Sequence, residues 1–199
     1  MIRAVIWDWG GVIQRTEDYG PRRALDQALG LAPGGAEQAV FESDIWQRAS
    51  TGQCSAEEAW TTIVASLGYP LEQIDTFVAQ FFAGDRVDPT LVKLVRWLRE
   101  QGFKVGLLSN APPGRSAYAE AAARWGMADL FDAQVFSYEV GALKPDPRMY
   151  AAILEKLCVT PAEALFIDDS PKNVQGAEAA GIPAIRFTGV AALLAELRQ

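Results

Sequence analysis

The 199-residue chain predicts an α/β fold built on a parallel sheet, with a helical segment inserted after the first strand. Two observations carry this expectation. Short apolar runs end in small or polar residues and are separated by helical patterns, as parallel strands and their crossover helices are. They are AVIWDW (4–9), KVGLLSN (104–110), AQVFS (133–137), ALFIDD (164–169) and PAIRF (183–187). Between the first and second runs, residues 15–85 show helical patterns and no convincing strand. The expected organisation is therefore a discontinuous α/β core, residues 1–14 and 86–199, covered by a helical unit, residues 15–85.

Taken in order, the first run carries Asp8 near its end. In the insert, GGAEQAVFESDIWQRAS (34–50) stops before Thr51-Gly52, and SAEEAWTTIVASLG (55–68) opens with a Ser55–Glu58 capping box, so at least two antiparallel helices are expected. The chain returns to the sheet at Asp88-Pro89, a helix start for TLVKLVRWLREQG (90–102). Leu91, Leu94, Val95 and Leu98 share one face there, and Gly102 ends the helix. Lys144, in EVGALKPDPRMY, falls in a loop that precedes a helix. Thr160-Pro161 with Glu163, and Ser170-Pro171 before KNVQGAEAAG, mark two further helix starts.

Half the residues are hydrophobic and 22% are charged, the usage of a soluble globular protein. There is no histidine, which excludes Ser-His and Cys-His nucleophiles and the commonest transition-metal ligand. Chemistry must then rest on carboxylates, Lys, Arg, hydroxyls or a hard cation. A net charge of −7 argues against nucleic acid or an anionic membrane as partner. Cys54 and Cys158 lie far apart without a metal or redox spacing and read as reduced thiols. No apolar run approaches the roughly 20 residues of a membrane span, and Asp8 interrupts the stretch a signal peptide needs, so a cytoplasmic protein is expected. Both a monomer and a homodimer remain open.

Ligands of open parallel sheets bind beyond the carboxyl ends of the strands. The residues there are Asp8, Ser109-Asn110 and Asp168-Asp169, with Lys144 in the loop after the third run. Singly, each has a simpler account as a turn, capping or solvated residue. Together, three carboxylates at one sheet edge repel one another unless a hard cation lies between them, and oxygen ligands without histidine suit Mg²⁺. A lysine and a Ser-Asn pair beside that cation suit a phosphoryl group, and Asp8 becomes a candidate nucleophile.

These residues resemble the haloacid dehalogenase superfamily, in its branch with a helical cap after the first motif. VIWDWGGVI is similar to the first motif with the nucleophile at Asp8, VGLLSN to the second with Ser109, GALKPDPRMY to the third with Lys144, and LFIDDSPKNVQGAEAAGI to the fourth with Asp168 and Asp169. The resemblance covers essentially the whole chain. It implies a Rossmann-like core and Mg²⁺ held by Asp8, the Gly10 carbonyl and Asp169, with Asp168 direct or through water. It further implies a phosphoryl group held by Ser109, Lys144 and the backbone N–H groups near Trp9, Gly10 and Asn110, with Asn173 in support.

Most phosphatases of the family carry an aspartate two residues after the nucleophile, which protonates the leaving oxygen and then activates water. Gly10 stands there and can do neither. General acid–base assistance is worth about 10² to 10⁴ in rate, so slow hydrolysis or a good leaving group is expected. The resemblance thus implies a Mg²⁺-dependent phosphatase of a small phosphorylated metabolite. The alternatives are a catalytically weak protein that binds a phospho-ligand or partner, and a metal-independent 2-haloacid dehalogenase. Glu17 and Asp18 are the nearest acids that could stand in for the missing one. Arg22, Arg23, Trp46, Gln47 and Arg48 are the candidate specificity residues of the cap.

Overall fold

A computed structural model describes residues 1–114 and 129–197. Its strands are β1 (Ala4–Trp7), β2 (Gln14–Thr16), β3 (Asp85–Val87), β4 (Lys104–Ser109), β5 (Ala133–Phe136), β6 (Ala164–Asp168) and β7 (Ala184–Arg186). Five of them form one parallel sheet in the order β5-β4-β1-β6-β7, each at an expected apolar run. All four residues of β1 are buried, as a strand flanked by neighbours and covered on both faces requires. Trp7 pairs with Leu107 of β4 and Ile167 of β6, so the three strands deliver their next residues to one edge at nearly one level.

Five helices lie between β2 and β3: α1 (Gly20–Ala28), α2 (Gly35–Phe41), α3 (Asp44–Ser50), α4 (Ala56–Ser66) and α5 (Ile74–Phe81). They enclose a core of their own around Leu25, Val40, Trp60, Ile63, Phe77 and Phe81. The pattern over 34–50 is two helices rather than one, because the Ser43 hydroxyl accepts a hydrogen bond from Trp46 N and starts α3. Ser55 accepts from Glu58 N at the start of α4.

The ends of the stretch expected to be free of strands are in fact paired. β2 and β3 form an antiparallel ribbon in which Thr16 faces Asp85. Beyond it the two chain passages touch: Glu17 N and Asp18 N donate to the Gly84 carbonyl at 3.1 and 3.2 Å. A Cβ at Gly84 would lie 1.7 Å from the Asp18 carbonyl oxygen, so only glycine permits this crossing.

The sheet is covered on both faces by α6 (Pro89–Glu100), α7 (Ser137–Val140), α8 (Pro147–Leu157), α9 (Pro171–Ala179) and α10 (Val190–Glu196). Alternation along β1 divides the two layers. Val5 and Trp7 meet Leu91, Val95 and Leu98 of α6 and Leu193 of α10, whereas Ala4 and Ile6 meet Met149, Ile153 and Leu157 of α8 and Ala177 of α9. Asp88 caps α6, accepting from Thr90 N at 2.8 Å and Leu91 N at 3.2 Å, and pairs with Arg15 of the ribbon at 2.6 Å. Burial opposes its ionisation, but the hydrogen bonds from Arg15, Leu91 and Thr90 prevail and hold the carboxyl below its usual range. Thr160-Pro161 starts only a 3-10 turn, Pro161–Glu163, because β6 begins at the next residue. Among the described residues no helix is long and apolar enough to cross a membrane.

Candidate active site

The turn after β1 brings the first carboxylate to the sheet edge. Asp8 N donates to the Ile167 carbonyl at 2.9 Å, extending the ladder by one residue, and Gln14 N closes the turn on the Trp9 carbonyl at 2.9 Å. Gly11 has φ +83°, a conformation costly for any other residue. A Cβ there would stand 2.3 Å from Asp169 Oδ2, so the Asp169 carboxylate rests directly on the glycine. Carboxylate oxygens of Asp8, Asp168 and Asp169 lie within 4.8 Å of one another.

Lys144 supplies the positive charge. Its buried Nζ lies 2.7 Å from Asp8 Oδ1 and 2.8 Å from Asp168 Oδ2, and donates to the Leu108 carbonyl at 2.9 Å. Asn110 fixes the lysine's backbone: its Oδ1 accepts from Lys144 N at 2.8 Å and its Nδ2 donates to Lys144 O at 3.4 Å. The side chain of Asn110 is thus spent on the Lys144 loop, leaving only its backbone for a ligand. Across the loop, Gly176 of α9 has no room for a Cβ, which would stand 2.4 Å from Pro145 Cβ. Ser109 is 5% exposed, and its hydroxyl makes no hydrogen bond among the described residues.

The acids differ in their commitments. Asp168 accepts from Lys144, from Ser170 N at 2.9 Å and from Asn173 Nδ2 at 3.0 and 3.1 Å, which occupies both oxygens. Asp8 receives Lys144 and its neighbour Trp9 N, each at 2.7 Å, on Oδ1 alone. Asp169 forms no ion pair among the described residues. Burial pushes Asp8 up to about 7 against the pull of Lys144, with Asp168 and Asp169 adding to the rise. Burial and then Asp168 raise Asp169 as well. For Lys144, burial works against the charge, but Asp8 and Asp168 outweigh it and keep the ammonium protonated.

One ammonium among three carboxylates leaves an excess of negative charge that a divalent cation would neutralise. The donors are all oxygens, and the Gly10 carbonyl accepts no hydrogen bond among the described residues, so the set fits a hard ion such as Mg²⁺. Beside it, a Cβ at Gly10 would meet nothing within 4 Å, and no described side chain fills the place of the missing acid.

The candidates in the insert divide. Arg22 is 5% exposed and structural: it donates to the Phe81 carbonyl, pairs with Asp85 and Glu37 at 3.1 Å each, and lies over the Phe81 ring. Trp46 packs edge-on against Trp60 and Phe41 within the helical core. Arg22 is committed to these partners, whereas Trp46 stays half-buried. Arg23, Gln47 and Arg48 are exposed, and their side chains form no hydrogen bond or ion pair among the described residues. Asp18 accepts from Gly20 N in its own turn, and Glu17 faces Arg15 at 3.7 Å. Gly11 and Gly176 support the candidate site through partners distant in sequence, Asp169 and Pro145, and only the paired glycines of DWGGV give a local sign of the first.

The chain matches the family model described as haloacid dehalogenase-like hydrolase over residues 2–181. A sesquiterpene phosphatase of Aspergillus oryzae is 28% identical over 198 residues, spanning 99% of this chain and 95% of that protein. A HAD-family enzyme of Bacteroides thetaiotaomicron, solved in complex with magnesium and inorganic phosphate, aligns with a TM-score of 0.78 over 98% of this chain and 99% of its own, at 22% identity. An L-2-haloacid dehalogenase of Xanthobacter autotrophicus, with chloropropionic acid covalently bound, aligns with a TM-score of 0.68 over 99% of this chain and 82% of its own, at 26% identity.

Proposed function

The chain belongs to the haloacid dehalogenase-like hydrolases, and from that premise we propose that it is a Mg²⁺-dependent phosphatase of a small phosphorylated substrate, working through a phosphoryl-enzyme on Asp8. The observation that carries this reading is the cluster of Asp8, Asp168 and Asp169 around a single ammonium, whose remaining negative charge a divalent cation would neutralise. The phosphatase of A. oryzae, similar over nearly its whole length, supports the phosphoryl substrate.

Asp8, the Gly10 carbonyl and Asp169 would hold Mg²⁺, with Asp168 behind them, and the ion would supply positive charge to the phosphoryl oxygens. Lys144 and Trp9 N both engage Asp8 Oδ1, leaving Oδ2 to attack phosphorus. The P–O bond to the leaving group breaks as the Asp8–phosphorus bond forms. Ser109 and the adjoining backbone N–H groups donate to the non-bridging oxygens, where charge accumulates. Water then attacks phosphorus, breaking the bond to Asp8 and releasing phosphate. With Gly10 in place, the departing oxygen takes its proton from solvent or from the substrate, which favours good leaving groups. Residues 15–85 act as a cap, with Arg23, Gln47 and Arg48 free to contact substrate.

Hydrolysis of p-nitrophenyl phosphate with and without Mg²⁺, with Asp8→Asn as the blank, tests this reading. Mg²⁺-dependent release that Asp8→Asn abolishes is the expected result. The likeness to the haloacid dehalogenase and the absence of an acid at Gly10 favour a second reading, in which Asp8 attacks carbon. Chloride release from 2-chloropropionate without metal, and no phosphate release, would establish it instead. If neither product forms and the protein still binds phosphate, a binding role replaces both.

A further inference from the structure

The helical insert touches the α/β core a second time, far along the chain from the ribbon, and one buried hydroxyl makes the contact. Three of the last four carbonyls of α3 are satisfied locally: Gln47 O and Arg48 O by Thr51 and Gln53, and Ala49 O by Gly52 N. The fourth, Ser50 O, accepts from Ser137 Oγ, at 2.5 Å. Ser137 begins α7 in the core and is 0% exposed. Its oxygen also accepts from Ala111 N at 2.9 Å, and Ala111 follows Ser109-Asn110. A second acceptor, the Ala111 carbonyl, stands 3.2 Å away. The seat is tight elsewhere too: a Cβ on Gly52 would lie 2.7 Å from the Tyr138 carbonyl oxygen.

A serine hydroxyl has one proton and cannot donate to both carbonyls at once. The shorter contact gives it to Ser50 while the insert is seated. When the insert lifts, the proton turns to Ala111 O, and Ser50 O, as a helix-end carbonyl, is taken over by water. Neither state leaves a buried donor unpaired, so the seat releases without the penalty that a lost buried hydrogen bond carries.

We propose that Ser137 is a positioning residue, a two-position latch that couples the seating of the helical insert to the loop carrying Ser109 and Asn110. This rests on the reading of residues 15–85 as a cap over a phosphoryl site. Without the hydroxyl, Ser50 O is stranded unpaired in the seated state but hydrated in the lifted one, which shifts the lifting equilibrium roughly fivefold, so Ser137→Ala raises amide hydrogen exchange about fivefold in both 49–56 and 109–112. Because a fivefold rise in exchange requires a protein that is mostly seated, KM for p-nitrophenyl phosphate rises by less than about twofold and kcat stays within about twofold, so the paired exchange response reads the latch.

Gly52→Ala unseats the turn without touching Ser137, so it gives the same exchange pattern and decides the matter if Ser137→Ala does not fold. Gly68→Ala, which strains a positive φ but meets nothing within 4 Å, leaves both segments unchanged. Faster exchange confined to 109–112 in Ser137→Ala, or to 49–56 in Gly52→Ala, overturns the latch. If wild type turns over no phosphate ester, the phosphatase reading fails while the exchange result still judges the latch.

Discussion

Replacing Gly11 by alanine imposes two costs at once. The residue sits at φ +83°, where an L side chain loses about 1–2 kcal/mol. Its Cβ would also stand 2.3 Å from Asp169 Oδ2, so the carboxylate must retreat by about 1 Å to reach ordinary contact. Forcing Asp169 off its rotamer adds about 0.5–1.5 kcal/mol. The expected loss is about 2–3 kcal/mol, or roughly 4–12 °C in Tm for a chain of this size. Because the displaced group is a proposed metal ligand, Mg²⁺ affinity should fall about tenfold or more. Gly10→Ala is the control: its φ is not in the positive region and a Cβ meets nothing within 4 Å, so stability should stay within about 0.5 kcal/mol of wild type. Thermal melts in EDTA give the first quantity and calorimetric Mg²⁺ titration the second. A Gly11→Ala protein with wild-type Tm and Mg²⁺ affinity would refute the account of how Asp169 is seated.

The remaining expectations concern proton transfer and pH. Gly10→Asp should accelerate hydrolysis of an alkyl phosphate by about 10²-fold and of p-nitrophenyl phosphate much less, because only the poor leaving group needs a proton; equal effects on both esters would contradict this. Asp88→Ala removes the cap of α6 and the partner of Arg15 and should cost about 1–3 kcal/mol at pH 7. Since the folded carboxyl is held below its usual range, that contribution is present above about pH 4 and fades as pH falls through the folded value, so urea melts should show the two proteins converging in acid. For Asp8 the sign reverses: its folded pKa is raised to about 7, so without metal the fold binds an extra proton and loses stability as pH rises from about 4 to about 7. Melts in EDTA should show this slope in wild type and a shallower one in Asp8→Asn, and parallel slopes would count against it.

The sheet and the carboxylate cluster at its edge are legible because they rest on local signals: apolar runs of strand length, each ending in a polar residue. What escaped depends on partners distant in sequence. β2 and β3 are three residues each, too short for an alternation to register, and exist through their pairing. Arg22 reads as a surface arginine until Asp85 and Phe81 close over it, and Asn110 reads as a ligand-facing amide until the Lys144 loop folds against it. The break at Ser43 was available, since Ser-Asp within a helical pattern is itself a helix start.

The contact at Gly84 has a consequence for how such proteins diversify. Because the two passages into the insert meet within hydrogen-bonding distance, the sheet experiences everything between them as attached at one narrow waist. A graft that keeps the ribbon and exchanges residues 19–83 for another helical module brings together ends already held in place, so little loop-closure entropy is added and the register of the five strands is untouched. On the proposed reading, selectivity is then exchanged as a cassette while the proposed chemistry at Asp8 stays in place. The price of that modularity is a single invariable atom count at residue 84, where even one methyl group would force the passages apart.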